Sequence, residues 1–429
     1  FNKMMVLLVT LADKHQACPY CGFTAPKIKE YVTKEITHSA LTTQKCIIKY
    51  RARRYKCPCC GKTYYEFNPF VFKSQKISIL TVHNILKDLK DFNETFTSVA
   101  RRYHVSPTSV STIFDNHVDI GRNPLPEIIN FDEVYAFKSE KSKYVCVLLD
   151  FKKQIPVDVL PNRKKEYLLN YFQKIPLEER KKVKYACSDM YEVYRDVVHK
   201  VFPCSCMLLD YFHLSQDFHR KMNEVRIKVM KGYKDDKASD EYYLLKKFNW
   251  LLFKNPEDED KYGRLFDVER ERKYNSHFKS YMNYYDLRRK LLEINNDLTI
   301  CYSLKLELVD FYSKSTIDNA QVNLEHLIRS CIDTNIEEMI AFSNNLINWK
   351  QEIINSFTIV GTEYKVEADK GQVVVCNKKV NNAIIENRNK IIKCIKNNAN
   401  GYTNWSRFRN RVMYVLDPNT TFSLEPREK

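Results

Sequence analysis

Short apolar runs alternate with amphipathic stretches between residues 127 and 222, and this is the clearest hydrophobic pattern in the chain. Five of the runs have the length of strands, and the amphipathic stretches have the 3.6-residue period of helices. The first predicted strand lies in the segment 127–137 and ends near Asp132, and the others lie at 143–151, 155–161, 181–190 and 204–210. The predicted helices lie at 163–175, at 191–202 and from 211 onward. The predicted order is therefore β-β-β-α-β-α-β-α.

This order is typical of an RNase H-like α/β sheet whose strands have the spatial order 3-2-1-4-5. The first and fourth strands are then neighbours, and their carboxyl ends flank the point where the order reverses, which is a usual ligand site. Asp132 lies near the end of the first predicted strand, and Asp189 ends the fourth. Two carboxylates this close repel unless a cation lies between them, and their hard oxygens suit Mg²⁺ or Mn²⁺. A single aspartate is usually a turn or helix cap, so the prediction depends on two acids at matching strand ends.

Two short helices are predicted within 93–118, with a break at which Ser106 is a candidate N-cap and Pro107 a first-turn residue. The small residue Ala100 would let the two helices approach closely. We predict a helix-turn-helix DNA-binding domain over 71–122, with a plain helical hairpin as the alternative. The residues expected to face DNA are Arg101, Arg102, Thr108, Ser109 and Ser111.

Two CxxC pairs precede these helices, and a glycine follows each pair, at Gly22 and Gly61, where a knuckle turn often requires a positive φ. The predicted ligands are Cys18, Cys21, Cys57 and Cys60. Four thiolates form a closed tetrahedral Zn²⁺ shell, which is structural rather than catalytic. Because 45–57 alternates like a strand, we predict a zinc ribbon over 1–70. A redox CxxC pair is the alternative, and Cys59 is a possible rival to a neighbouring ligand.

The 429 residues carry a formal net charge of +17, from 70 Lys and Arg against 53 Asp and Glu. A surplus this large favours nucleic acid as a partner, with a ribosome or a membrane surface as the alternatives. No run of 18 apolar residues occurs, so we expect no transmembrane helix. The apolar stretch 4–12 is interpreted as a strand or helix rather than a signal peptide. Most of the remaining cysteines lie singly in apolar surroundings, as in a cytoplasmic protein with reduced thiols.

Four blocks of the sequence together resemble the DDE transposases of bacterial insertion sequences, in particular those of the ISL-three type. Residues 53–67 resemble that family's zinc ribbon, and 130–151 resemble the block with its first acid. Residues 188–216 resemble the second block, which here contains Asp189, Phe202, Pro203, Asp210 and His213. Residues 381–417 resemble the closing block, in which Glu386 takes the place of the last catalytic acid.

The resemblance implies a catalytic domain over 123–417, with an all-α insertion at about 221–357 and a tail over 418–429. A free-standing helical domain is the alternative for the insertion. The implied activity is metal-dependent DNA cleavage and strand transfer by in-line phosphoryl displacement. Water would attack first, and the freed 3′-hydroxyl would later attack target DNA.

Within this resemblance, Asp132 would bridge two metal ions, and Asp189 and Glu386 would each complete one shell. Asp210 and His213 would brace the fold or the DNA near the site. The candidates for DNA-backbone contacts in the closing block are Lys390, Lys393, Arg407 and Arg411, with a solvated helix face as the alternative.

The expected partners are the element's terminal repeats and target DNA, bound by a self-associated protein at the nucleoid. A regulator with an inactive catalytic domain and a metal nuclease without strand transfer are the alternative functions.

Overall fold

A computed structural model describes residues 4–12, 17–40, 44–73, 75–137, 142–366 and 373–427. The chain divides into two compact units. The first comprises Phe1–Pro126, Asp132–Leu168 and Ile384–Lys429, and the second comprises Glu127–Phe131 and Leu169–Ala383. The predicted zinc ribbon and the predicted tail each include a few residues that lie outside the described ranges.

The first unit begins with a four-stranded sheet in the order β1-β3-β2, with β4 paired to β3. Its strands are β1 (Met5–Val9), β2 (Lys27–His38), β3 (Cys46–Lys56) and β4 (Thr63–Tyr65). Strand β1 runs parallel to β3, and β2 and β4 run antiparallel to it. The buried side chains of Ile36, Ile48, Tyr50 and Ala52 form its core. The N-terminal apolar stretch is therefore a strand, and the alternating segment before the second CxxC pair is confirmed as one.

Three helices follow, α1 (Ile79–Asp88), α2 (Phe96–Arg102) and α3 (Pro107–His117). The predicted break is confirmed, because the Ser106 side chain caps α3 by accepting a hydrogen bond from the N–H of Ser109 at 3.0 Å, and Pro107 is the first helical residue. Ala100 and Phe114 are buried in the shared core of these helices. A small residue at position 100 therefore lies where α2 and α3 pack, as predicted.

A five-stranded sheet has the order β7-β6-β5-β8-β9. Its strands are β5 (Ile128–Val134), β6 (Val145–Asp150), β7 (Pro156–Leu160), β8 (Tyr185–Ser188) and β9 (Cys206–Leu209). Counted along the chain, this is the order 3-2-1-4-5, so the predicted order is confirmed. Strand β5 pairs with β8 in parallel, with Ile128 opposite Tyr185 and Asn130 opposite Cys187. All residues of β6 and β7 are buried, which explains their continuous apolar runs.

The helices after the first three strands of this sheet are α4 (Lys165–Gln173), α5 (Leu177–Arg180) and α6 (Glu192–Val201). Helices α4 and α6 were predicted. Helix α5, with only four residues, is too short to show a helical period and was not.

The α-helices that follow β9 in the second unit are α7 (Tyr211–Lys231), α8 (Asp240–Lys247), α9 (Tyr284–Glu293), α10 (Asn296–Lys314), α11 (Ala320–Asp333), α12 (Glu337–Asn348) and α13 (Lys350–Asn355). They enclose one apolar core that includes Phe218, Leu291 and Phe342. The prediction of an all-α insertion is wrong, because this region also contains two hairpins. Strand β10 (Glu259–Asp260) pairs with β11 (Gly263–Arg264), and β12 (Lys273–Asn275) pairs with β13 (Ser280–Met282).

A third hairpin, β14 (Ile359–Val366) with β15 (Val373–Lys379), precedes the last two helices, α14 (Ala383–Asn398) and α15 (Trp405–Leu416). In the first unit, apolar residues of α14 and α15 pack on β6, with Ile392, Phe408 and Val147 buried together. None of the helices within the described ranges is long and apolar enough to cross a membrane.

Candidate functional site

The two CxxC pairs converge in the first unit. The sulfurs of Cys18, Cys21, Cys57 and Cys60 lie within 4.8 Å of one another. Cys18 Sγ is 3.7 Å from Cys60 Sγ, and Cys21 Sγ is 3.5 Å from Cys57 Sγ. Zn–S bonds of about 2.3 Å in a tetrahedron place the sulfurs roughly 3.8 Å apart, so the four side chains fit a zinc shell. Cys59 is exposed and lies outside this cluster.

Each CxxC pair lies on a turn of the same geometry. The N–H of Gly22 donates to Cys18 O and the N–H of Gly61 donates to Cys57 O, both at 2.9 Å. The two glycines have φ of 73° and 70°, a conformation that is unfavourable for residues with a Cβ. Backbone hydrogen bonds, first that of Cys60, lower the pKa of Cys57 to about 7. A substantial fraction of Cys57 is therefore thiolate near neutral pH, which is the form of cysteine that binds a metal.

Asp132 lies near the carboxyl end of β5 and is buried. Its Oδ1 accepts a hydrogen bond from the N–H of Glu133 at 2.7 Å, and its Oδ2 accepts one from the side-chain amide of Asn389 at 2.8 Å. A carboxylate offers about four lone-pair positions, so these two hydrogen bonds by themselves do not fill its acceptor positions. Glu386 lies in the first turn of α14, three residues before Asn389. Residues at this spacing share a helix face, so Glu386 projects from the face that contacts Asp132.

The residues just before α14 are held against β5 within the second unit. The side-chain amide of Asn130 donates to Asn381 O at 2.8 Å and to Asn382 Oδ1 at 2.7 Å. Asn130 and Asn382 are fully buried. Neither of these residues was predicted to have a role, and Asn389 was not predicted to have one either. Asn130 could have been identified from the sequence, because a polar residue inside a buried apolar strand requires a hydrogen-bond partner.

The second unit contains the other predicted acids. Asp189 directly follows β8, and Asp210 directly follows β9. The N–H of Asp210 donates to Ser188 O at 3.1 Å, which holds the two strand ends together. His213 Nε2 lies 3.9 Å from Asp210 Oδ2 in the first turn of α7. Asp189 and His213 also line a shallow pocket of about 280 Å³ together with Asp217.

The DNA-facing candidates on α2 and α3 differ in their surroundings. Arg101 and Thr108 are exposed. Arg102 is ion-paired with Asp88 and Glu94. Ser109 Oγ lies 2.8 Å from the capping Ser106 Oγ, and Ser111 Oγ donates to Thr108 O at 3.0 Å. Arg101 and Thr108 therefore present their polar groups most directly to a partner.

The arginines of α15 are used within the first unit. Arg411 is only 1% exposed and donates to Asp91 O and Glu94 O, both at 2.8 Å. The prediction that Arg411 contacts DNA is wrong, because its guanidinium is buried against the chain segment before α2. Arg407 forms an ion pair with Asp115 at 2.6 Å and so links α15 to α3.

Lys390 and Lys393 lie on the exposed face of α14. Of the basic residues predicted to contact DNA from the closing block, these two therefore have side chains directed to solvent.

Two comparisons with known proteins found similar sequences. A family model described as Transposase, of the DDE ISL3 type, matches residues 129–368, which include Asp132, Asp189 and Asp210 and end before Glu386. The transposase for insertion sequence element IS1001 of Bordetella parapertussis is 20% identical over 409 residues. That match covers 95% of this chain and 90% of the relative.

Proposed function

Since the chain belongs to the ISL3-type family of DDE transposases, we propose that it binds the ends of an insertion sequence and catalyses metal-dependent DNA cleavage and strand transfer. The five-stranded sheet is the core of the proposed RNase H-like catalytic domain. Asp132, Asp189 and Glu386 are the proposed catalytic acids, and double-stranded DNA is the proposed partner.

The register between β5 and β8 is the observation that carries this proposal. The two strands run parallel, with Asn130 opposite Cys187. Asp132 lies near the carboxyl end of β5, and Asp189 directly follows β8, so the two acids come at matching ends of two parallel, paired strands. Carboxylates in such positions are typical ligands of a divalent cation, which supports both acids as proposed metal ligands.

The position of α14 supports Glu386 as the third acid. The bond between Asn389 and Asp132 fixes the helix face from which Glu386 projects. The bonds between Asn130 and the residues just before the helix fix where the helix begins. Because residues on both sides of Glu386 are hydrogen-bonded to residues of β5, the backbone that carries Glu386 is held near that strand.

When bound, two divalent ions supply activation of the attacking oxygen and stabilisation of the leaving oxygen. The chain contributes fixed ligand orientations, because preorganised carboxylates need no rearrangement during the reaction. Asp132, Asp189 and Glu386 would hold these ions. Asp210 and His213 would hold the start of α7 and the end of β9 in place.

Recognition of the DNA ends is proposed to come from the N-terminal part of the chain, because chemistry at phosphate is blind to base sequence. Helix α3 would be the recognition helix of a helix-turn-helix, with Thr108, Ser109 and Ser111 toward the bases and Arg101 toward phosphate. Zinc held by the four cysteines would maintain the ribbon. Lys390 and Lys393 would contact the DNA backbone, and the protein would self-associate on DNA.

A cleavage and joining assay tests the proposal. The purified chain would be incubated with Mg²⁺, a labelled duplex carrying the inverted repeats that flank its own gene, and a supercoiled target plasmid. We expect 3′ ends to be exposed at the repeat and joined to the plasmid. Asp132→Asn should retain end binding and lose both cleavage and joining.

The alternative functions give different results in the same assay. A regulator with an inactive catalytic domain would bind the repeat without cutting it, and a nuclease would cut without joining. Cleavage by Asp132→Asn at the rate of the unmodified chain would refute the assignment of the acid.

A further inference from the structure

The two short hairpins of the second unit enclose a pocket of about 290 Å³ that the proposed function does not use. Helix α8 and the start of α9 complete its wall. The lining includes five aromatic side chains and two lysines, namely Tyr243, Phe248, Tyr262, Tyr274, Tyr284, Lys247 and Lys273. Ligand pockets start at about 300 Å³, so this one is the size of a single flat group rather than a duplex.

Three tyrosines of the two hairpins are unusually accessible, and two of them, Tyr262 and Tyr274, line the pocket. Tyr262, Tyr274 and Tyr281 expose 67%, 59% and 68% of their surface. Tyr274 and Tyr281 lie opposite each other on β12 and β13, with ring centroids 5.5 Å apart. Clustered exposed aromatic rings cost solvation without adding to the core, and such patches mark interaction sites.

The hairpin that carries Tyr274 and Tyr281 is anchored to α8. The ring of His277, in its loop, stacks on Tyr243 of α8 with centroids 4.0 Å apart. His277 Nε2 lies 2.9 Å from Asp240 Oδ1, and the N–H of His277 donates to Asn275 Oδ1 at 3.0 Å. The backbone that carries Tyr274 is therefore held in place, which reduces the entropy cost of binding a ligand there.

The charges around the pocket suit a ligand with an anionic backbone. Lys247 and Lys273 are exposed at its edge, and Lys261 Nζ lies 4.7 Å above the Tyr262 ring. Asp260 is neutralised by Arg270 at 2.6 Å, and this contact lowers the pKa of its carboxyl. Glu271 also lines the pocket, so a phosphate would be attracted to the lysine side and repelled from the Glu271 side.

We propose that this pocket binds an unpaired base of single-stranded DNA, with the base stacked on Tyr262 and Tyr274 and the adjoining phosphate beside Lys247 and Lys273. Stacking on aromatic rings tolerates any base, and cations beside the rings hold the backbone. The proposal deepens the proposed function and rests on it, because it takes the partner to be DNA. The proposed role of the insertion at about 221–357 is to bind DNA whose strands have separated.

Binding of labelled oligonucleotides to the full chain tests this proposal by fluorescence anisotropy. The probes are a 12-nucleotide single strand, the same sequence as a duplex, and the same sequence as RNA. The variant Tyr262→Leu with Tyr274→Leu retains apolar bulk but removes the rings, and it should weaken single-strand binding roughly 5- to 100-fold. Duplex binding should change less than about twofold. The matched control, Tyr262→Phe with Tyr274→Phe, should bind the single strand like the unmodified chain.

Three outcomes would overturn the pocket assignment: unchanged single-strand binding by the leucine variant, an equal loss for single strand and duplex, and tighter binding of RNA than of DNA. The cleavage and joining assay distinguishes a failure of the pocket assignment from a failure of the proposed function. If no DNA is cut but the leucine variant still loses single-strand affinity, the proposed function fails and the pocket assignment stands. If the repeat is cut and joined while the leucine variant binds normally, the pocket assignment alone fails.

Discussion

Asn389 is expected to be a positioning residue for the cleavage reaction, although it has no acid or base chemistry of its own. Its side-chain amide donates to Asp132 Oδ2 at 2.8 Å, and it is buried on the face of α14 that also carries Glu386. Replacing it by alanine removes a donor from a buried carboxylate and leaves space in which that carboxylate can rotate. Both effects disturb the orientation of the proposed metal ligand without removing the ligand itself.

The size of this effect follows from the energy of the bond. A hydrogen bond to a charged group contributes about 1.5–3 kcal/mol. If the whole of this energy holds Asp132 in its reactive orientation, Asn389→Ala should reduce the cleavage rate by roughly 10- to 150-fold, since each 1.36 kcal/mol corresponds to a factor of ten. Affinity for the DNA end should remain unchanged, because Asn389 is not among the proposed DNA-contacting side chains. The Mg²⁺ concentration for half-maximal rate should rise.

The assay is single-turnover cleavage of the labelled repeat duplex over a range of Mg²⁺ concentrations, with end binding measured in parallel. Asn387→Ala is the matched control, because Asn387 is exposed two residues earlier on the same helix. It should cleave at the rate of the unmodified chain. A rate for Asn389→Ala within twofold of that of Asn387→Ala would refute the reasoning, as would a loss of rate that is fully explained by weaker end binding.

Three further predictions concern the fold. Cys57→Ser should lose bound zinc and lose affinity for the DNA end, whereas Cys59→Ser should retain both. Metal analysis measures the zinc content, and fluorescence anisotropy measures the end binding. Zinc retained at full occupancy by Cys57→Ser would contradict the four-cysteine shell. Arg411→Met should lower the free energy of unfolding by about 2–4 kcal/mol in a urea melt, because two buried carbonyls lose their donor, while Lys393→Met should be neutral. Burial lowers the pKa values of His38, His117 and His219 in the fold. The unfolded chain therefore binds more protons below about pH 6.5, so the urea midpoint should fall between pH 7 and pH 5, and an unchanged midpoint would count against this account.

The sheet order was predictable because the chain pattern leaves few ways to arrange five strands with short turns and helical crossovers. Burial of β6 and β7 on both faces made their apolar runs unmistakable. The hairpins β10–β11 and β12–β13 were not predictable, because strands of two or three residues show no alternation. The β12–β13 hairpin is held instead by tertiary contacts such as the stacking of His277 on Tyr243. A local sequence pattern does not encode such contacts.

The cysteine ligands could be identified from spacing alone, because both thiolates of a CxxC pair come from one tight turn. The network around Asp132 could not, since Asn130 and Asn382 are separated by 252 residues and Asp132 and Asn389 by 257. A pattern read along the chain gives the type of residue at each strand end. It does not give the partner that fixes its side chain, because that partner is chosen by tertiary packing.

Burial distinguishes basic residues that stabilise the fold from basic residues that are accessible to a DNA partner. Arg53 is buried in an ion pair with Glu66 at 2.8 Å, and Arg409 pairs with Asp158 at 2.6 Å. A guanidinium has five donors in a planar fork, so it can satisfy several carbonyl or carboxylate oxygens at once, whereas a lysine ammonium is more strongly hydrated and tends to remain at the surface. In a chain with a net charge of +17, a basic residue would therefore contribute to the proposed DNA binding only where its burial and its partners leave it accessible. Among the predicted contacts on α14 and α15, this criterion selects Lys390 and Lys393.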